Sequence, residues 1–350
     1  MSGRDFPDPI EPGIYFGFDE DKYHAAPWLG SGDHKRLRES PPDFWWNSWM
    51  NPLREADKET DARILGSAIH AYVLQGREIF DKQYARSRAD DPDVLKTVAE
   101  IKNWIIAHPE FDMSTKIPGR KDGAIALAQA LDPEVEVLEF IEQQEQERGR
   151  KILPAKGYDR CLIAGSMIAK NPGLETAWQG GYPEVAIFWR DAAGTPCKCL
   201  LDYLKPRGIG DLKSVGNPSG RDFPGACRIA FADYRYDMQA AHYLDGRRQL
   251  PGFVKEGRVF GEVDPDWLKR TAKVDDCGFA FVFYQTTGAP LTHAEVLSPA
   301  NPIIEIADQH VQEARAAYRD FSQRFGESMW LLANEVSELD ISELPNWYGR

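Results

Sequence analysis

The sequence predicts an α/β protein of the α+β kind, built on a mostly antiparallel or mixed central sheet flanked by helices. Three observations lead there. Apolar positions recur at helical spacing through much of the first half. Three β-rich runs then follow one another between Pro183 and Val215 with short turns, as sequential antiparallel strands do. The remaining order is helix, two strands, helix, which does not alternate strand with crossover helix, and neither common Gly-rich phosphate loop is present.

Residues 1–27, rich in Pro, Gly and Asp, read as an extended N-terminal arm, and 28–350 as one domain. A short helix capped by Ser31 or Asp33 runs through HKRLRES to Pro41-Pro42. An aromatic cluster, Phe44, Trp45, Trp46 and Trp49, comes next; packing against the following helix is the expected use of at least two of these rings. That helix is Ala62–Leu74, with Ile64, Leu65, Ala68, Ile69, Tyr72 and Val73 near helical spacing. Residues 91–172 are expected to be mostly helical, with candidate helices at Val94–Ala107, Ala124–Leu131, Val135–Glu147 and Tyr158–Ala169. The β-rich core spans about 183–300. Its strands are expected at Glu184–Trp189, Cys197–Leu204, Gly210–Val215, Phe279–Tyr284 and His293–Leu297, with a helix over Arg235–Leu250. Ile303–Phe325 is a long helix before an acidic tail.

Composition narrows the function. The chain has 350 residues, 42% hydrophobic and 28% charged, as ordinary globular proteins do. It has no apolar run long enough to span a bilayer, and its N-terminus lacks a signal-peptide order. Five scattered cysteines, with C-x-C inside a strand, read as reduced thiols of a cytoplasmic protein. A net charge of −13 argues against coating nucleic acid through a basic surface, while leaving room for a local basic groove.

The chemistry concentrates in Cys197–Ser214. Asp202 falls near the end of one strand, and Asp211 and Lys213 lie two apart on the next, so the latter pair share a face. Two carboxylates and a lysine converging there are costly without a ligand. A divalent cation and a phosphate supply the compensation, since carboxylate oxygens bind Mg²⁺ or Mn²⁺ and a lysine can orient the attacking water. Glu184 is either a third carboxylate of this site or the polar start of its strand. His70 is either a satisfied core histidine or a ligand. Gln239 and Tyr243, four apart, share one helix face. Lys35, Arg36, Arg38, Arg207, Arg221 and Arg247 are candidate phosphate contacts.

The ordered pieces LGSAIHAYVL, PEVAIFW, KCLLDYL, GDLKS and YDMQAAHYLDG, with GSGDHKRLRESPPDFWW before them, resemble the RecE/RecB-type exonucleases of the PD-(D/E)xK superfamily found in phages and prophages. The tail LPNWYGR is similar in style. The resemblance implies a restriction-endonuclease-like core with a helical insertion. It implies His70, Asp202, Asp211 and the Leu212 carbonyl as metal ligands, Lys213 as the catalytic lysine and Glu184 beside the metal. Gln239, Tyr243 and Lys198 would support the site or contact DNA. It further implies Mg²⁺, with Mn²⁺ as substitute. The substrate would be ends of linear double-stranded DNA, cut 5′ to 3′ to leave 3′ single strands in phage-type recombination. A homo-oligomeric ring and a single-strand annealing protein would be the partners. One departure stands out: Leu200 occupies a place where relatives carry a basic residue. The alternative is a catalytically inactive DNA-end or partner-binding module that keeps the fold.

Overall fold

The computed structural model describes residues 5–55, 60–333, 338–344 and 347–348; most of the LPNWYGR tail lies outside the described residues. Seven strands form one sheet: β1 Gly13–Phe16, β2 Tyr182–Arg190, β3 Pro196–Lys205, β4 Gly208–Val215, β5 Val259–Phe260, β6 Gly278–Gln285 and β7 Thr292–Leu297. Their spatial order is β5-β1-β2-β3-β4-β6-β7. Strands β1 to β4 pair antiparallel in the order β1-β2-β3-β4, β6 joins β4 in parallel, and β7 returns antiparallel. The sheet is therefore mixed, as expected. The five expected strands all lie here, each within two residues of its predicted ends.

The helices that frame the site are α1 Glu20–Ala25, α2 Ser31–Glu39, α3 Asp61–His70, α4 Ala155–Lys170, α5 Phe223–Asp233, α6 Tyr236–Arg248 and α7 Pro302–Phe325. One face of the sheet packs Ile187, Trp189, Cys199, Leu201 and Phe281 against Met238, Ala241 and Leu244 of α6. On the other side, Leu212, Val282 and Tyr284 meet Ala68 and Ile69 of α3 and Cys161 and Ala164 of α4. The site sits between these layers, at the middle of the sheet. All five cysteines are buried free thiols, and among the described residues no helix is long and apolar enough to cross a membrane.

Two expectations change. The N-terminal arm is not simply extended. GIYF is wholly buried and enters the sheet as β1, between β2 and β5, and α1 follows it. Four residues among prolines and glycines give too short an apolar run to announce a strand. The tryptophan cluster also packs elsewhere than against α3: Phe44 and Trp45 are buried with Phe321 of α7 and Trp330, and Trp46 is exposed. Within 91–172 the expected helices form at Val98–Ala107, Lys121–Leu131, Leu138–Glu147 and α4. The first two enclose a small apolar core of their own, Ile101, Ile105, Ala124, Ile125 and Ala128, closed by Val137. A short parallel pair, Tyr84–Arg86 with Lys151–Leu153, lies at the base of this insertion.

Candidate active site where two strands part

β3 and β4 pair only over Tyr203–Lys205 with Gly208–Gly210. Beyond that the ladder stops. In its place Asp202 Oδ2 accepts a hydrogen bond of 2.7 Å from the Leu212 backbone N–H. The carboxylate thus satisfies a peptide group that the parted strand has left free. The fork opens the middle of the sheet and lines the opening with Asp202, Asp211 and Lys213.

Asp211 is fully buried. Its Oδ1 accepts from Gln239 Nε2 at 2.8 Å, and Lys213 Nζ lies 2.6 Å from Oδ2. The Lys213 ammonium is thus the partner of Oδ2, an ion pair held inside the protein. Burial pushes the Asp211 carboxyl up to about 6 against the pull of Lys213, and Asp202 pushes it the same way. Asp202 is likewise raised, by burial first. Lys213 is held above its usual range: burial opposes its charge, and Asp211 and Asp202 more than offset that.

His70 closes the site from α3. It is the last α-helical residue before a five-residue π-helical stretch, Ala71–Gln75, a distortion that recurs at functional sites. Its Nε2 lies 3.0 Å from the Leu212 carbonyl oxygen, to which it donates, and its Nδ1 lies 3.7 Å from Asp202 Oδ2. Burial, then Lys213, lowers its pKa to about 4, so the ring is neutral at physiological pH. The contact joins residues 142 apart in sequence.

Glu184 stands opposite Asp202: the β2–β3 register runs Pro183 to Tyr203 and Val185 to Leu201, and skips the pair between them. Its φ is 51°, left-handed and strained for a residue with a Cβ. Burial, then Asp202, pushes its carboxyl up to about 8, and a hydrogen bond with Gln75 opposes this. Tyr243 is buried on the Gln239 face of α6. Its phenol is raised by burial and then by Asp211 and Asp202, and it bonds the Ser31 side chain. The site thus gathers His70, Glu184, Asp202, Asp211, Lys213, Gln239 and Tyr243.

Lys198 is not among them. Its ammonium donates to the carbonyls of Tyr23 and Ala26, both at 2.7 Å, and of His24 at 3.2 Å. It caps the end of α1 and has no exposed face to offer DNA. Leu200, two residues on, packs beside Tyr15, Phe18, Tyr23 and Phe188, so its apolar character has a structural reason. Among the other cations, Arg247 is buried and donates to the Thr271 carbonyl at 2.6 Å, Arg36 faces Asp33 and Arg38 faces Glu313. Arg207 lies in the β3–β4 turn, at the closed end of the fork.

The N-terminal segment held by Lys198 delivers a residue that sequence reasoning missed. Glu20, on α1, is felt electrostatically by His70, Asp202 and Glu184. It is one of several acids in FDEDKYH, and no spacing marks it.

The site suits a hard divalent cation. Three carboxylates, Glu184, Asp202 and Asp211, share one opening and raise the cost of ionisation there, with Glu20 adding to it at Glu184 and Asp202, and a cation would relieve that cost. The atoms available as ligands are carboxylate and carbonyl oxygens plus one neutral imidazole. Those atoms now satisfy one another. Accordingly, among the described residues no group of three or more His, Cys, Asp and Glu forms a finished metal cage.

Comparison with known proteins places the chain in a family. No curated protein matches the sequence. Among solved structures, a protein of Eubacterium rectale described as a candidate exonuclease aligns over 86% of this chain and 87% of its own, at 10% identity and a TM-score of 0.44, too distant to carry an argument. Residues 46–260, more than half of the chain and every gathered residue except Glu20, match the family described as a PDDEXK-like domain of unknown function (DUF3799). The chain belongs to that family of PDDEXK-like domains.

Proposed function

We propose that this protein is a divalent-metal-dependent nuclease that hydrolyses phosphodiester bonds of linear double-stranded DNA from an end. The observation that carries this reading is the gathering of His70 and Asp202 on the backbone of Leu212, His70 at its carbonyl and Asp202 at its N–H, beside the Asp211–Lys213 ion pair at the point where β3 and β4 part. PDDEXK nucleases generally use divalent metal ions. His70, Asp202, Asp211 and the Leu212 carbonyl would hold the ion, Mg²⁺ or Mn²⁺, which when bound polarises the scissile phosphate and acidifies a water. Lys213, drawn to Asp211, is positioned to orient that water and to balance charge developing on the phosphate. Gln239 fixes the Asp211 carboxylate through Oδ1, and Tyr243 fills the space behind it. Glu184, raised by burial and by Asp202 while the site is metal-free, would ionise as the ion binds and so stand beside it as a further carboxylate.

The finer features belong to the same proposal: 5′ to 3′ polarity leaving 3′ single strands, Mg²⁺ as the working ion, a ring of identical subunits threading DNA, and a single-strand annealing protein as partner in phage-type recombination. The alternative, an inactive module that keeps the fold, rests on Leu200, a side chain that packs on the N-terminal aromatics.

The deciding experiment digests blunt linear duplexes labelled at the 5′ or the 3′ end, with and without Mg²⁺. Lys213→Ala and Asp211→Ala are each expected to lose roughly 10²–10³-fold in rate, as for removal of one preorganised electrostatic group. Undiminished digestion by both purified variants would sink the assignment.

A further inference from the structure

One cation near the site is left without a role. Lys35 lies on α2, half-buried, and among the described residues its ammonium makes no hydrogen bond or ion pair. It lies 5.5 Å from the centroid of the Tyr236 ring, and Lys213 Nζ lies 5.0 Å from the same centroid. Two ammonium groups therefore share one aromatic ring. Burial, then Lys213, pushes the Lys35 pKa down to about 8. The nearby acids are already matched, Asp211 by Lys213 and Gln239 and Asp237 by Arg235. An anion arriving between the two lysines would relieve both the repulsion and the lost hydration.

The same ring carries a second feature. Tyr236 stacks on Phe281 at 5.7 Å and 21°, and Tyr234 stacks on Tyr236 at 5.7 Å and 26°. Tyr234 is 61% exposed. The residue between them, Arg235, has a left-handed φ of 51° and is fixed by Asp237 at 2.9 Å and His310 Nδ1 at 2.8 Å. The turn from α5 to α6 thus holds two parallel rings, the inner one beside two cations and the outer one open to solvent. A phosphate beside a flat apolar ring face is the outline of a nucleotide.

We propose that Lys35 and Tyr234 form a subsite for the nucleotide of the substrate strand next to the bond being cut, Lys35 taking its phosphate and Tyr234 stacking on its base. This rests on the nuclease reading above and adds where the strand leaves the catalytic fork: along α2 and over the α5–α6 turn. Lys35 lies outside the matched residues 46–260, so the subsite combines a family element with one this chain supplies before it.

The test compares wild type with Lys35→Ala, Lys35→Arg and Tyr234→Ala, each first checked by thermal melt. Duplexes ending in a 5′-phosphate or a 5′-hydroxyl are digested in Mg²⁺, and DNA binding is measured in Ca²⁺ across a salt series. Lys35→Ala should raise KM about tenfold with a smaller change in kcat, and lower the salt dependence of binding by about one phosphate contact. Lys35→Arg should restore most of this, and Tyr234→Ala should raise KM about fivefold or more. An equal effect on both ends assigns an internal phosphodiester; an effect confined to 5′-phosphorylated ends assigns a terminal phosphate. Unchanged KM and salt slope in Lys35→Ala, with wild type active, overturns the subsite and leaves the nuclease reading intact. If wild type cuts no DNA, the nuclease reading fails on its own, and binding that Lys35→Ala does not weaken overturns the subsite as well.

Discussion

Glu184 holds an unfavourable backbone and an unfavourable charge at once. Its φ of 51° costs on the order of 1–2 kcal/mol for an L-residue with an ordinary side chain. Its carboxyl is buried opposite Asp202, with a pKa near 8. A strand start that served only packing would tolerate neither. Asn adopts the left-handed region more readily and carries no charge. Glu184→Asn is therefore expected to match or exceed wild-type stability, by up to about 1 kcal/mol, while nuclease activity drops. Urea midpoints beside digestion rates test this, and a variant that is both less stable and fully active would contradict it. Lys198 shows the opposite case. A charged side chain two residues before Leu200 invited a DNA-contact reading. Its three carbonyl acceptors come from α1 and the residue that ends it, some 170 residues earlier, and no local pattern reveals them.

At the scale of elements, the catalytic face depends on how closely α6 approaches the sheet. Gly246 makes that approach possible: a Cβ there would meet Cys199 Sγ and the Trp189 ring at 2.9 Å. Both are buried and held from several sides, so neither can retreat freely. Gly246→Ala should destabilise by about 1–3 kcal/mol despite alanine's better helix propensity. If the variant unfolds at the wild-type urea concentration or above it, the close packing does not carry this role. The helix itself was legible from its apolar spacing, and the core strands from their apolar runs and turns. Asp211 and Lys213 on one strand, and Gln239 four before Tyr243, were equally legible, because both are local periodicities. The fork was not. Whether β3 and β4 stay paired past Gly210 is decided by Asp202 taking the Leu212 N–H, a contact between strands. Strand β1, the placement of Glu20 and the packing of Trp45 depended on partners far along the chain.

The whole molecule is tied together by a polar cluster remote from the fork. Arg315 of α7 is 1% exposed and pairs with Asp245 of α6 at 2.8 Å. Its Nε lies 3.3 Å from His34 Nε2 on α2, and its Nη2 lies 3.1 Å from His242 Nδ1 on α6. The other ring nitrogens face carbonyls, His34 Nδ1 that of Gly30 at 2.7 Å and His242 Nε2 that of Lys198 at 2.9 Å. Each imidazole thus donates to a carbonyl and accepts from the guanidinium, which requires it to be neutral. Burial is the largest cause lowering both pKa values, His34 to about 3 and His242 well below its ordinary value, and Arg315 adds to each. The unfolded chain binds protons near 6.5 that the folded protein refuses. Stability from this cluster is therefore complete above about pH 6.5 and declines as pH falls toward the folded values, by about 1.4 kcal/mol per histidine at pH 5.5. Other groups titrate over the same range, so a variant isolates the effect. His34→Gln keeps a donor and an acceptor but cannot take up a proton there. Its stability should fall about 1.4 kcal/mol less than that of wild type between pH 8 and 5.5. Parallel pH curves for the two proteins, measured by urea unfolding, would mean that His34 takes up its proton in the fold at the same pH as in the unfolded chain and that α2, α6 and α7 are joined by some other balance of charge.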